Sequence, residues 1–374
     1  MLMRTARNKK KLGVLTGGGD CPGLNAVIRA VTKSACNSGW EVCGIYDGFA
    51  GLLEGRCRQL DAGDVSNILT QGGTILGSSN RADPFEVPYP PPCPPPQGGR
   101  DKYVDRSDQV VLQIKKWKLD CLVTIGGDGT QNIAYRLSKK GVPVVGVPKT
   151  IDNDLMATDV TFGFDTAVAT ATEAIDKLHT TAQSHHRVMI VEVMGRYAGW
   201  LALHAGVAGG GDIILIPEIP FTVAAVAEAI HRRRRRGKKF SIVVVAEGAK
   251  AKGGKQVVKK IVADSHDPVR LGGIGNWLAE ELEGKVPAEI RVTVLGHVLR
   301  GGVPTPFDRV LATRFGTEAF HLVQRGEFGK MVALQGSRIL AASLAKAISG
   351  LKLVSPNDPL VQSARAVGTS FGDE

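Results

Sequence analysis

Two clusters built from glycine, aspartate and threonine follow each other closely, Gly126-Gly127-Asp128-Gly129-Thr130 and Pro148-Lys149-Thr150-Ile151-Asp152-Asn153-Asp154. Each comes directly after an apolar run with the composition of a strand. In the first, glycines leave backbone N–H groups open to an anion, and the carboxylate of Asp128 can hold Mg2+ against phosphate oxygens. In the second, Asp152 and Asp154 share one short turn. One can take a proton from an attacking hydroxyl while the other helps place that hydroxyl or the metal. Together the clusters point to phosphoryl transfer. A third stretch, Thr16-Gly17-Gly18-Gly19-Asp20-Cys21-Pro22-Gly23-Leu24-Asn25, is a glycine-rich turn entering a helix, where N–H groups and the positive dipole end meet an anion. It is not a dinucleotide fingerprint, because Pro22 and Gly23 displace the third glycine of G-x-G-x-x-G, and the chain holds no G-x-x-x-x-G-K-[ST]. A nicotinamide-dependent dehydrogenase and a P-loop protein are disfavoured on those grounds.

Positioning these clusters requires strands that end where the clusters begin. Apolar runs alternate with amphipathic stretches along most of the chain, and strands are predicted at Leu12 to Leu15, Glu41 to Tyr46, Cys121 to Ile125, Val142 to Val147, Arg187 to Val193, Ile213 to Ile216, Ser241 to Ala246 and Arg291 to Leu295. Most run into glycine or a charged motif, and in open α/β sheets ligands sit beyond the carboxyl ends of strands. The expected fold class is α/β, as two Rossmann-like three-layer α/β/α domains with mainly parallel sheets and the active site in a cleft between them. The donor domain is expected to span 1–163 with a return segment of about 299–345, and the acceptor domain 164–298 with a tail of about 346–374. The run Pro88 to Pro96 breaks the pattern and reads as an exposed polyproline loop.

Composition narrows the partners. Lys and Arg number 47 against 36 Asp and Glu, a net charge of +11 that favours anionic ligands such as sugar phosphates and nucleotides. Much of the excess lies in Arg4 to Lys11 and Arg232 to Arg236, and with aromatics at only 5% no basic stretch is interleaved with stacking rings, so no nucleic-acid partner is expected. All six cysteines fall in the first third without a C-x-x-C pair, which argues against zinc or a disulfide framework. The apolar segment after the basic N-terminus is too short for a signal-peptide core and no run reaches spanning length, so a cytoplasmic protein without membrane contact is expected.

The second cluster carries the Thr-Ile-Asp-Asn-Asp motif at 150 to 154, and on it the chain resembles the phosphofructokinase family. The resemblance extends, in the family's order, over Gly18 to Asn25, Leu76 to Ser79, Gly126 to Thr130, Val191 to Arg196, Ala246 to Gly248 and Leu295 to Gly302. It implies transfer of the ATP γ-phosphoryl group to the C1 hydroxyl of fructose 6-phosphate, with Mg2+ on Asp128. Asp152 would be the general base, with Asp154 close by, Thr150 a donor to the moving phosphoryl group, and Arg196 the offset to its developing charge. Gly19, Arg81, Gly127, Gly129, Thr130 and Lys149 would hold the donor. Glu247 and the backbone around Met194 and Gly195 would hold sugar hydroxyls. Arg187, Arg291, His297 and Arg300 would take the 6-phosphate, with Arg187 and Arg291 reaching across from a neighbouring subunit of a homo-oligomer, a tetramer or a dimer.

Family members that use pyrophosphate carry Asp and Lys where this chain has Gly129 and Lys149; common bacterial ATP users have Gly at both. An Asp at 129 would put charge and bulk in the path of the α-phosphate. Gly129 leaves that path open, so ATP is the expected donor and pyrophosphate the alternative. A non-catalytic sugar-phosphate sensor is the reading from another class, and the presence of Asp128, Asp152 and Arg196 speaks against it. His179 stands where the resemblance leads one to expect an effector-binding arginine.

Overall fold

The apolar runs pair into two separate, mainly parallel sheets in the computed structural model of the chain, which describes residues 9–88, 103–254, 256, 258–261 and 269–374. The basic residues before Lys9, Cys93 and the polyproline run beyond Pro88 lie outside the described residues. Packing divides the chain into two units. One holds the chain up to Thr150, Leu155–Gly163 and Gly302–Gly350; the other holds Ile151–Asp154, Phe164–Gly301 and Leu351–Glu374. These bounds differ from the sequence-based ones chiefly at Ile151–Asp154, which packs with the second unit, where Lys352 donates its backbone N–H to the Asp154 carbonyl at 2.8 Å.

The first unit is built on a seven-stranded sheet. In spatial order its strands are Arg338–Ser343, Lys330–Gln335, Val144–Pro148, Cys121–Gly126, Lys11–Thr16, Glu41–Ile45 and Cys57–Leu60. The inner five are parallel and both edges antiparallel. Leu12, Val14 and Leu15 are completely buried, as a strand covered on both faces requires. One face packs on helices Ser107–Lys116 and Asp128–Lys139 through Val110, Ile114, Ile133 and Leu137. Helix Leu24–Asn37 lies against helix Pro306–Arg325 and packs on the same sheet, giving the three layers.

The second unit holds a four-stranded sheet, all parallel, in the order Ile290–Val294, Val188–Val193, Ser241–Ala246, Ile213–Leu215. Helices Val223–Arg235 and Ile274–Leu282 cover one face through Val226, Ile230 and Leu278. Helices Phe164–His185 and Trp200–Ala208 pack against each other and on the strands. The α/β class with mainly parallel sheets is therefore as expected. Among the described residues, no helix is long and apolar enough to cross a membrane.

Candidate active site

In the first unit the strands Lys11–Thr16 and Cys121–Gly126 are neighbours, and the chain winds away from them to opposite sides of the sheet. Both glycine-rich turns thus leave adjacent carboxyl ends at the point where strand order reverses, the usual ligand crevice of an open α/β sheet. The Gly17 N–H donates to the Ile125 carbonyl at 2.9 Å and Gly18 to that of Ser79 at 3.0 Å. Ser78 returns a hydroxyl to the Gly18 carbonyl at 2.5 Å, so Leu76 to Ser79 brace the turn and carry exposed Arg81 to its edge. Asp128 is the first residue of helix Asp128–Lys139, after Gly127 in extended conformation. Its carboxylate and the first-turn N–H groups share one helix end, which favours an anion with its counter-cation.

The glycines of this cluster serve different ends. A Cβ on Gly17 would come within 2.6 Å of the Thr130 hydroxyl, and one on Gly126 would overlap the same side chain. Thr130 is buried, filling the space between the two strand ends. A Cβ on Gly129, by contrast, would meet nothing within 4 Å. Lys149 is only 4% exposed, and its ammonium donates to the Gly19 carbonyl, joining the second cluster to the first glycine turn. Thr150 accepts at its carbonyl from the Thr161 hydroxyl at 2.7 Å.

The second unit gathers the acceptor-side candidates at the carboxyl ends of three neighbouring parallel strands. Met194, Gly195 and Arg196 follow Val188–Val193, Glu247 follows Ser241–Ala246, and the 3-10 turn Gly296–Arg300, with His297 and Arg300, follows Ile290–Val294. Gly195 has φ +137 and Gly248 donates to its carbonyl at 3.0 Å; a Cβ on Gly248 would overlap the Arg196 carbonyl oxygen. Burial first, then the charges of Asp152 and Glu192, push the Glu247 carboxyl up to about 7, against the opposing pull of the Arg300 guanidinium. Asp152 and Arg300 therefore both act on Glu247 within this unit. Asp152 and Asp154 flank Asn153, which is 4% exposed and left-handed at φ 53.

Arg187 and Arg291 are not brought to this end. Arg187 immediately precedes strand Val188–Val193 and Arg291 is the second residue of Ile290–Val294, so both sit at the amino ends, on the order of 20 Å along the strands from Met194. Both guanidinium groups pair with Glu289.

Three supporting residues escaped the reading of the motifs. Gln131 donates its amide to the carbonyls of Gly126 and Val147, both at 3.0 Å, pinning the two strand ends that release the clusters. Glu192, 2% exposed, accepts from Gly273 and Gly275 at 3.0 and 2.8 Å, while its own carbonyl accepts from Leu295 at 3.0 Å. Its position inside Val-Glu-Val, where an apolar residue is expected, was the available signal. Gln256 donates to the carbonyls of Arg196 and Gly248 at 3.0 and 3.1 Å. No local signal marked it. Among the described residues no group of three His, Cys, Asp or Glu could enclose a metal ion. The donors at Asp128 fit Mg2+ nonetheless, since that ion takes one or two carboxylates and completes its shell with water and phosphate oxygens.

Comparison with known proteins places the sequence and the fold in one family. The family profile described as phosphofructokinase matches residues 11–323. An ATP-dependent 6-phosphofructokinase of Chloroflexus aggregans is 53% identical over 370 residues, covering 99% of both chains. A pyrophosphate–fructose 6-phosphate 1-phosphotransferase of Amycolatopsis methanolica is 52% identical over 347 residues, covering 92% of this chain and 96% of its own. Among solved structures, the Pichia pastoris phosphofructokinase in the T-state superimposes with a TM-score of 0.79 at 29% identity; the match covers 99% of this chain and 37% of the yeast chain.

Proposed function

This chain belongs to the phosphofructokinase family, and we propose that within it the chain is an ATP-dependent 6-phosphofructokinase. It transfers the γ-phosphoryl group of ATP to the C1 hydroxyl of fructose 6-phosphate, giving fructose 1,6-bisphosphate and ADP. Relatives with either donor are about equally similar over the aligned residues, so identity alone does not choose between ATP and pyrophosphate. The observation that carries the choice is the open space at Gly129. Glycine is a poorer helix former than alanine, and here no neighbour demands it. Room for the rest of a nucleotide beyond its terminal phosphates explains its presence.

In this reading the first-turn N–H groups of helix Asp128–Lys139, the Gly17–Gly19 turn, Arg81 and Lys149 hold the polyphosphate. When bound, Mg2+ offsets the charge on the phosphate oxygens, with Asp128 as its protein ligand. Asp152 accepts the C1 hydroxyl proton as the bond to phosphorus forms, which makes that hydroxyl more acidic. Thr150 and Arg196 donate to the transferring oxygens, a use that suits a fixed guanidinium. Glu247 and the Met194–Gly195 backbone orient the sugar, and His297 and Arg300 take its 6-phosphate. Arg187 and Arg291 serve the 6-phosphate at another copy's site, so the working form is a homo-oligomer, and the setting is cytoplasmic glycolysis.

A coupled assay supplying each donor separately tests this. Turnover with ATP and fructose 6-phosphate is expected, and Asp152→Asn should lower kcat by about 10²–10⁴-fold. Turnover with pyrophosphate and none with ATP would overturn the donor assignment.

A further inference from the structure

The turn that carries Asp152 is held by a residue from the far end of the chain. Lys352 donates its backbone N–H to the Asp154 carbonyl at 2.8 Å and its ammonium to the Asn153 side-chain carbonyl oxygen at 3.1 Å. Its own carbonyl accepts from the Trp200 indole N–H at 2.7 Å, and the ammonium lies 5.6 Å from the centre of that ring. Trp200 opens helix Trp200–Ala208, whose capping residue Gly199 donates to both oxygens of Glu218 at 2.9 and 3.1 Å. Glu218 also accepts from Val354 at 2.9 Å. The segment Lys352–Val354 is therefore fixed twice to the helix end, and from that frame Lys352 reaches the turn.

Asn153 is the residue this contact secures. It is buried at φ 53, a left-handed conformation that asparagine adopts more readily than most residues with a side chain but that its surroundings must still hold in place. The backbone conformation at Asn153 sets the directions in which the flanking carboxylates leave the turn, and holding a lysine in one place costs that side chain rotamer entropy. The two backbone contacts of Lys352 tie its segment to Asp154 and Trp200. Beside its approach to the Trp200 ring, the ammonium adds a contact to the one side chain between the two aspartates, and both of these contacts require the lysine side chain.

We propose that Lys352 is a positioning residue for phosphoryl transfer, its ammonium locking Asn153 so that Asp152 is held at the angle from which it takes the hydroxyl proton. The proposal rests on the function given above, with Asp152 as base.

Lys352→Met keeps an aliphatic stem and both backbone bonds and removes the ammonium, with its contacts to Asn153 and to the Trp200 ring. Because small misplacements of reacting groups are costly, kcat should fall about tenfold or more while the KM values for sugar and ATP change by less than about twofold. Asn153→Gly tolerates the same φ without the side-chain oxygen and should give a similar loss. The double variant should be no worse than the poorer single one, and Lys352→Arg should recover part of kcat. Independently of turnover, hydrogen exchange of the 151–154 amides should quicken in Lys352→Met. If Lys352→Met keeps kcat within about twofold, or if the two single losses multiply, the proposal is wrong. If wild type turns over neither donor, the functional reading fails, and the exchange measurement still reports whether the ammonium holds the turn.

Discussion

Glu247 sits where its charged form is disfavoured, and this has consequences that can be measured. Glu247 is raised to about 7 by burial, with the neighbouring charges of Asp152 and Glu192 adding to the effect. The folded protein thus binds this proton well above the pH at which the unfolded chain does. The contribution of the group to stability is full in the ordinary carboxylate range and is lost as pH rises through about 7. Glu247→Gln removes the penalised charge. Its melting temperature should exceed that of wild type at pH 8, by an amount equivalent to roughly 1–3 kcal/mol, and the gap should close near pH 5. Activity should move the other way. A protonated carboxyl loses acceptor capacity for sugar hydroxyls, so the wild-type KM for fructose 6-phosphate should rise as pH falls below 7, while that of Glu247→Gln should be high and flat. A KM in wild type that is independent of pH between 6 and 8 would count against Glu247 as a sugar ligand.

At the scale of elements, helix Asp128–Lys139 separates what packing requires from what a ligand requires. Gly17 and Gly126 are held small by Thr130, whereas nothing in the fold holds Gly129 small. Gly129→Ala should therefore stabilise the ligand-free protein through helix propensity, by less than the ~1 kcal/mol of a helix interior because the position lies in the first turn, seen as a higher denaturation midpoint, while raising the KM for ATP. Gly129→Asp should abolish ATP use selectively; unchanged ATP kinetics in that variant would defeat the steric argument. The parallel strands that release the clusters were readable in the sequence because both faces of each are buried, leaving continuous apolar runs such as Val188–Val193 and Ser241–Ala246. The edge strands were missed for the complementary reason. Cys57–Leu60 is half polar, and Arg338–Ser343 is largely exposed. Gly336-Ser337 forms the two-residue turn of the hairpin between Lys330–Gln335 and Arg338–Ser343. Residues such as Lys352 and Gln256 escape motif reading because their partners are distant in sequence and their types are ordinary.

At the scale of the whole molecule, part of the clustered positive charge is paired inside the fold. In the basic run that ends helix Val223–Arg235, Arg233 is paired with Asp212 at 2.6 Å and Arg235 with Glu228, so part of the run is neutralised within its own unit. Arg187 and Arg291 instead converge on the single carboxylate of Glu289 at the amino ends of their strands, leaving net positive charge there. An arginine side chain spans far less than the roughly 20 Å of strand to the loops at the other end. If these two serve a sugar phosphate, the site must belong to another copy of the chain, and each working site then draws Asp152 and Arg187 from different subunits. Subunit mixing follows from this. Asp152→Asn and Arg187→Ala oligomers should each be nearly inactive at a sugar concentration near the wild-type KM. Dissociating and reassembling equal amounts together should restore activity towards a quarter of wild type, because about a quarter of randomly formed sites combine an intact Asp152 with an intact Arg187 from the neighbour. Mixed oligomers recovered through a tag on one variant, yet no more active than their parents, would exclude a shared site.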